Sequence, residues 1–169
     1  MKRLIYILLS LLILTTGCRE VPIVELEKDD GDSLKENMIN ANRYIMQGED
    51  AQIDAYIQRR GWQMERLLGG ARVMKTGEGG GKTLDYDETA VIEYSVETLG
   101  GNIIYEHVTD TVTIGRLEPT RGVDAALRTM SRGDKAIVIL PSDQAYGVLG
   151  DGNRIGSRIV LVYKLKVNS

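Results

Sequence analysis

The chain has 169 residues, of which 43% are hydrophobic and 27% charged. That balance fits a globular protein and excludes a disordered chain or a polytopic membrane protein. A net charge of −3 argues against a duplex nucleic-acid partner. One Cys and one His make neither a zinc site nor an internal disulfide. With eight Tyr, one Trp and no Phe, any apolar pocket must be lined by tyrosine and aliphatic side chains.

Lys2 and Arg3 precede the apolar run Leu4–Leu14. The run is too short for a bilayer-spanning helix, which needs about 20 residues, and residues 1–17 read as a cleaved signal peptide. It ends in Leu14-Thr15-Thr16-Gly17-Cys18, which resembles a bacterial lipoprotein lipobox with Thr15 where Leu is usual. The resemblance implies cleavage before Cys18, a lipid on its sulfur and attachment to the cell envelope. Arg19 is not the usual Asp retention signal, so an outer-membrane position facing the periplasm is favoured. The alternative is an ordinary secretory signal followed by a structural Cys. A mature chain of about 150 residues can bury roughly 68–70% of its unfolded surface, enough for one core.

Residues 18–33 form an acidic tether, holding six acids and two bases with little to bury. Residues 34–68 form a helical extension. Ser33-Leu34-Lys35-Glu36 matches a capping box, and Leu34, Met38, Ala41 and Ile45 recur at helical spacing until Gly48. A second helix is predicted from Asp50 to Arg60, with Ile53, Tyr56 and Ile57 on one face and Gly61 as its stop. This helical pair either docks on the main domain or pairs with another chain as a dimer.

Residues 69–169 change to strand periodicity. Val73 and Met74 lie in a short strand, and Ala90, Ile92, Tyr94 and Val96 share one face of Thr89–Glu97. Further strands are predicted over Asn102–Val108, Thr111–Ile114, Lys135–Leu140 and Arg158–Val167, with a helix over Pro119–Met130. Strands joined by short turns around one helix imply an antiparallel α+β domain. Gly81-Lys82-Thr83 ends like a phosphate-binding loop, but Thr76 stands where its first Gly is required. Asp85, Asp87 and Glu88 read as a solvated loop rather than a calcium clasp. No nucleophile, base and orienting group occur together, so hydrolase chemistry has no support. Neither a metal nor a cofactor is expected.

The segment from Ile114 to Leu127, with Gly115, Glu118-Pro119-Thr120-Arg121-Gly122 and Val123, resembles the bulge and helix of FKBP-type peptidyl-prolyl isomerases. Met130-Ser131-Arg132-Gly133-Asp134-Lys135-Ala136 and Pro141-Ser142-Asp143-Gln144-Ala145-Tyr146-Gly147 are similar to two further motifs of that family, in order and at family spacing. Val91-Ile92-Glu93-Tyr94 resembles its first pocket strand. The extension resembles that of the family's lipoprotein members. The resemblance implies a sheet wrapped around a short helix, acting on proline-containing polypeptides during folding of secreted or envelope proteins.

On that template Tyr94 forms a pocket wall, Thr120 offers its backbone N–H, and Tyr146 offers a hydroxyl. Val123 replaces the usual Trp at the floor, and Val112, Ile155 and Leu161 add apolar lining. Pro119 and Ala145 flank the donors. Either Ile104 or Tyr105 replaces the usual wall Phe. In one register Glu106 then stands where the family has Asp; in the other that acid is missing. These departures leave two readings open: a working isomerase, or a catalytically weak module that binds polypeptide as a chaperone or assembly factor.

The anchor is tested by Cys18→Ser. The substitution is expected to move the protein from the membrane to the soluble fraction, because firm attachment needs more than one acyl chain. Recovery of the unmutated protein wholly in the soluble fraction would rule out the lipid.

Overall fold

The computed structural model describes residues 31–77 and 79–168. The signal segment, Cys18 and the tether as far as residue 30 lie outside the described residues. The chain divides into two units, Met1–Met38 and Ile39–Ser169. Of the first, residues 31–38 are described: they begin helix α1, and Leu34 and Met38 are exposed.

Helix α1 runs without interruption over Gly31–Arg60. It replaces the expected helical pair. Gly in a helix interior costs only about 1 kcal/mol relative to Ala, and no neighbour crowds Gly48. From Ile45 onward the inward stripe is Ile45, Glu49, Ile53 and Tyr56, spaced by four, four and three residues. Asp50 does not cap a second helix. Its carboxylate instead pairs with Arg66 at 2.7 Å and Arg72 at 3.2 Å. Nor does Ser33 begin the helix, which already includes Gly31.

The six strands are β1 (Glu65–Arg66), β2 (Arg72–Gly77), β3 (Thr89–Thr98), β4 (Ile103–Thr113), β5 (Lys135–Leu140) and β6 (Leu161–Val167). They form one antiparallel sheet in the order β1-β2-β5-β6-β3-β4. The sheet thus starts at Glu65, inside the segment assigned to the extension. The two strands expected between Asn102 and Ile114 are one strand, β4. Helix α2 (Arg121–Leu127) is shorter than its sequence pattern at both ends: it starts after Thr120, whose Oγ caps it by accepting from the Val123 N–H at 3.3 Å, and stops at Leu127.

Alternation sorts β5 and β6 between two cores. Ala136, Val138, Leu140, Leu161, Tyr163, Leu165 and Val167 face α2, where Val123, Ala126, Leu127 and Met130 meet them. Ile139 and Val162 face the other way and pack with Val160 against Ile53 and Tyr56 of α1. Arg72, 4% exposed, ties β2 to the same helix through Asp50 and Asp54. The result is a sheet with a helix on each face.

Asp134 closes the turn before β5. Its carboxylate accepts from the Gly79 and Ser131 amides, each at 2.8 Å, with the Lys75 ammonium at 3.3 Å. Burial alone raises its pKa, but these donors outweigh burial and hold the group below 3.8. Its stabilising contribution is therefore complete above 3.8 and lost as pH falls through the lower native value. Asp134→Asn is expected to cost about 1–3 kcal/mol near neutral pH. Urea unfolding should show the gap from wild type closing as the pH falls below 3.8; a gap independent of pH would contradict the assignment.

Candidate active site

The site forms where β3, β4, the N-terminus of α2 and the loop between β5 and β6 converge. Tyr94, Ile104, Tyr105, Ala145 and Tyr146 are half-buried and pack on the core that holds Val112, Val123, Ile155, Leu161 and Tyr163. Val112, Val123 and Leu161 are at most 1% exposed, so they back the tyrosines from within the core. Pro119 is half-buried in the turn before α2 and lies outside that packed set.

Two register shifts, at His107 and at Ile104, bring both Ile104 and Tyr105 of β4 to the wall. Tyr94 pairs with Val108, but Val96 pairs with Tyr105, leaving one extra residue on β4 between the pairs. His107 sits there with φ of 51°, in the left-handed region. The shift brings Tyr105 opposite inward-facing Val96, while Glu106 is exposed. Side chains alternate along a strand, so one extra residue exchanges which of the two faces inward.

The acid beside Tyr105 comes from a different element. Asp151, in the loop after Tyr146, accepts a hydrogen bond from the Tyr105 hydroxyl. It also accepts from the amides of Asn153 at 2.9 Å and Ile155 at 2.8 Å. Burial would raise the Asp151 pKa, but the Tyr105 hydroxyl and these amides hold it below its ordinary value. Arg154 adds a second link, donating to the Ile104 carbonyl at 3.0 Å with its guanidinium 5.5 Å from the centre of the Tyr105 ring.

Backbone shape positions the remaining donors. Gly115 has φ of 87°, and a Cβ there would come within 2.2 Å of the Tyr86 ring. Its amide donates to Asp124 Oδ1 at 2.5 Å, fixing the bulge to α2. Thr120 is 4% exposed, and its N–H makes no hydrogen bond among the described residues. Tyr146 follows a 3-10 turn over Ser142–Gln144.

Tyr163 is a site residue that the sequence reading missed, although Leu161, Tyr163, Leu165 and Val167 alternate toward one face. Its ring lies 5.5 Å from that of Tyr94, tilted by 44°. Its hydroxyl, buried beside that of Tyr146, has no hydrogen-bond partner within ordinary geometry among the described residues. Burial, then the neighbouring Tyr146 and Tyr94, pushes the Tyr163 pKa upward. Burial, with Tyr146, Asp110 and Tyr105 nearby, pushes Tyr94 to about 12. Both phenols therefore remain protonated donors at neutral pH. Tyr94 stands in the half-buried wall and Tyr163 lies behind it in the core.

The model of the FKBP-type peptidyl-prolyl cis-trans isomerase family matches residues 80–168. The chain belongs to this family. Among solved structures, a peptidyl-prolyl cis-trans isomerase from Pseudomonas syringae pv. tomato shares the fold, with a TM-score of 0.63 and 22% identity over 75% of this chain and 93% of that one. The N-terminal domain of FKBP42 from Arabidopsis thaliana matches with a TM-score of 0.57 and 18% identity over 63% of this chain and 90% of that one. No curated protein matches the chain.

The isolated Tyr163 hydroxyl gives a stability prediction. Tyr163→Phe removes a buried, unsatisfied polar group and is expected to raise the unfolding free energy by about 1 kcal/mol. Urea denaturation measures this directly; a loss of similar size would mean that the hydroxyl has a partner in solution.

Proposed function

We propose that the chain assists folding of envelope proteins by catalysing rotation about X–Pro bonds, held at the membrane by lipid on Cys18. Rotation about a planar amide meets a barrier of about 18–20 kcal/mol because resonance is lost. The twisted amide has less charge separation than the planar one, so a dry apolar wall favours it over the ground state. The catalytic roles are Tyr146 as hydroxyl donor to the rotating carbonyl, the Thr120 N–H as donor to the substrate backbone, and Tyr94 as the wall beside the proline ring. Tyr105, Ile104, Ala145 and Ile155 complete the substrate contact. The carrying observation is the gathering of neutral tyrosine hydroxyls over an aliphatic core, together with an N–H at Thr120 that has no acceptor among the described residues.

A second reading, polypeptide holding with weak catalysis, is favoured by Val148 and Leu149. They follow Tyr146 after Gly147 and are 59% and 92% exposed. Such apolar side chains give an unfolded chain something to bind beyond the proline itself.

Tyr146→Phe is expected to lower kcat/KM about fivefold, equivalent to roughly 1 kcal/mol. The measurement is a protease-independent prolyl-exchange assay on the mature chain. Absence of catalysis by wild type, or an unchanged Tyr146→Phe variant, would leave the holding reading in its place. Leu149→Ser separates the two activities: it is expected to weaken suppression of client aggregation while preserving turnover of a short prolyl peptide.

A further inference from the structure

Glu49 is a carboxylate on the inward stripe of α1 and is only 7% exposed. No ion pair reaches it among the described residues. The arginines nearby are directed elsewhere, Arg66 to Asp50, Arg72 to both Asp50 and Asp54, and Arg158 to Asn42. A buried carboxylate without a cation is costly unless its oxygens are satisfied by hydrogen bonds. Both are satisfied by one residue: Oε2 accepts from the Ser142 N–H at 2.7 Å, and Oε1 from the Ser142 hydroxyl at 2.6 Å.

Ser142 in turn brackets Tyr146. Its carbonyl accepts from the amide before the tyrosine, Ala145 N at 3.1 Å, and from the amide after it, Gly147 N at 2.8 Å. A path of hydrogen bonds therefore runs from the helix, through one serine, to both peptide neighbours of the tyrosine. A second tie reaches the same loop from its other side. The Arg158 amide donates to the Gly147 carbonyl at 2.8 Å, while its guanidinium donates to Asn42 Oδ1 on α1 at 3.3 Å. The loop is thus fastened to the helix both before and after Tyr146.

We propose that Glu49 is a positioning residue of the isomerase site, setting the Tyr146 hydroxyl through the double hydrogen bond of its carboxylate to Ser142. The extension helix is then part of the catalytic apparatus, although it contributes no group that touches substrate. This rests on Tyr146 acting as the donor described above. An apolar residue at 49 would fill the space equally well, so packing does not account for an acid there.

The test compares Glu49→Met, Glu49→Gln and Ser142→Ala in the mature chain, with folding verified by circular dichroism and by the fluorescence of Trp62. Glu49→Met keeps the volume and removes both acceptors, and is expected to lower kcat about fivefold with KM little changed. Glu49→Gln is expected to retain most activity. Its carbonyl can accept from the Ser142 amide and its NH2 can donate to the Ser142 hydroxyl, which both gives and takes hydrogen bonds. Ser142→Ala removes one bond of the two and is expected to fall between them, which keeps the test usable if Glu49→Met does not fold. In a Tyr146→Phe background, Glu49→Met should add little further loss, because the group it positions is already gone. Full activity in folded Glu49→Met beside an impaired Tyr146→Phe would overturn this proposal alone, as would losses that multiply in the double variant. An unchanged Tyr146→Phe would instead overturn the catalytic reading on which the proposal rests.

Discussion

The docking of Ile53 and Tyr56 onto Ile139, Val160 and Val162 is the contact on which the rest of the molecule depends. Strands β5 and β6 carry apolar side chains on both faces, and α2 covers only one. Left uncovered, the opposite face would expose Ile139 and Val162, each worth about 1.5–3 kcal/mol when fully buried. Helix α1 is therefore a structural layer of the domain, fixing strands whose far ends matter most. Leu140 ends β5, Leu161 begins β6, and the two pair with each other. The loop from 141 to 160, with Tyr146 and Asp151, hangs from that closed pair of strand ends.

The site is governed by where charge is kept away. Tyr94 and Tyr163 resist ionisation because burial disfavours the phenolate, and each has other phenols nearby. Asp151 is held ionised toward the loop, occupied by Tyr105 and two backbone amides. A carboxylate so engaged orients a wall and steadies a loop, its charge stabilised by those donors. Such a site needs no proton transfer, consistent with a reaction that breaks no σ bond.

Period-2 alternation made the sheet readable in the sequence: β5 falls on Lys135–Leu140, and β3 extends only to Thr98 beyond the pattern that marks it. The misreadings have separate physical causes. Gly48 punctuates a sequence strongly, yet its small helical penalty is outweighed by the packing of Ile53 and Tyr56. Glu49 compounded the error, because a buried acid interrupts an apolar stripe that in space continues through it. On β4 the polar residues Thr109 and Asp110 read as a break, whereas the strand passes through them and its register shifts fall at His107 and Ile104. No composition rule places those shifts, so the sequence leaves Ile104 and Tyr105 as equal candidates for the wall, and both pack there. Asp151 was invisible for a related reason: it replaces an acid expected on a strand with one from a distant loop.

The motifs that were most legible are also those least involved in chemistry. Gly115 is needed because its φ is positive and Tyr86 occupies the space of a side chain. Gly122 is needed because a Cβ would come within 2.4 Å of Leu140 Cδ2. Such residues bring α2, the bulge and the sheet close enough to form a wall, and their constraints are local enough to leave a spacing in the sequence. The groups proposed to meet substrate face weaker local constraints: a phenol can come from any strand that points inward, and an amide from any residue. On the proposed mechanism, acceleration by shape and dryness leaves its clearest sequence trace in the backbone that makes the shape, while Tyr163, Asp151 and Glu49 become apparent only when the elements are assembled.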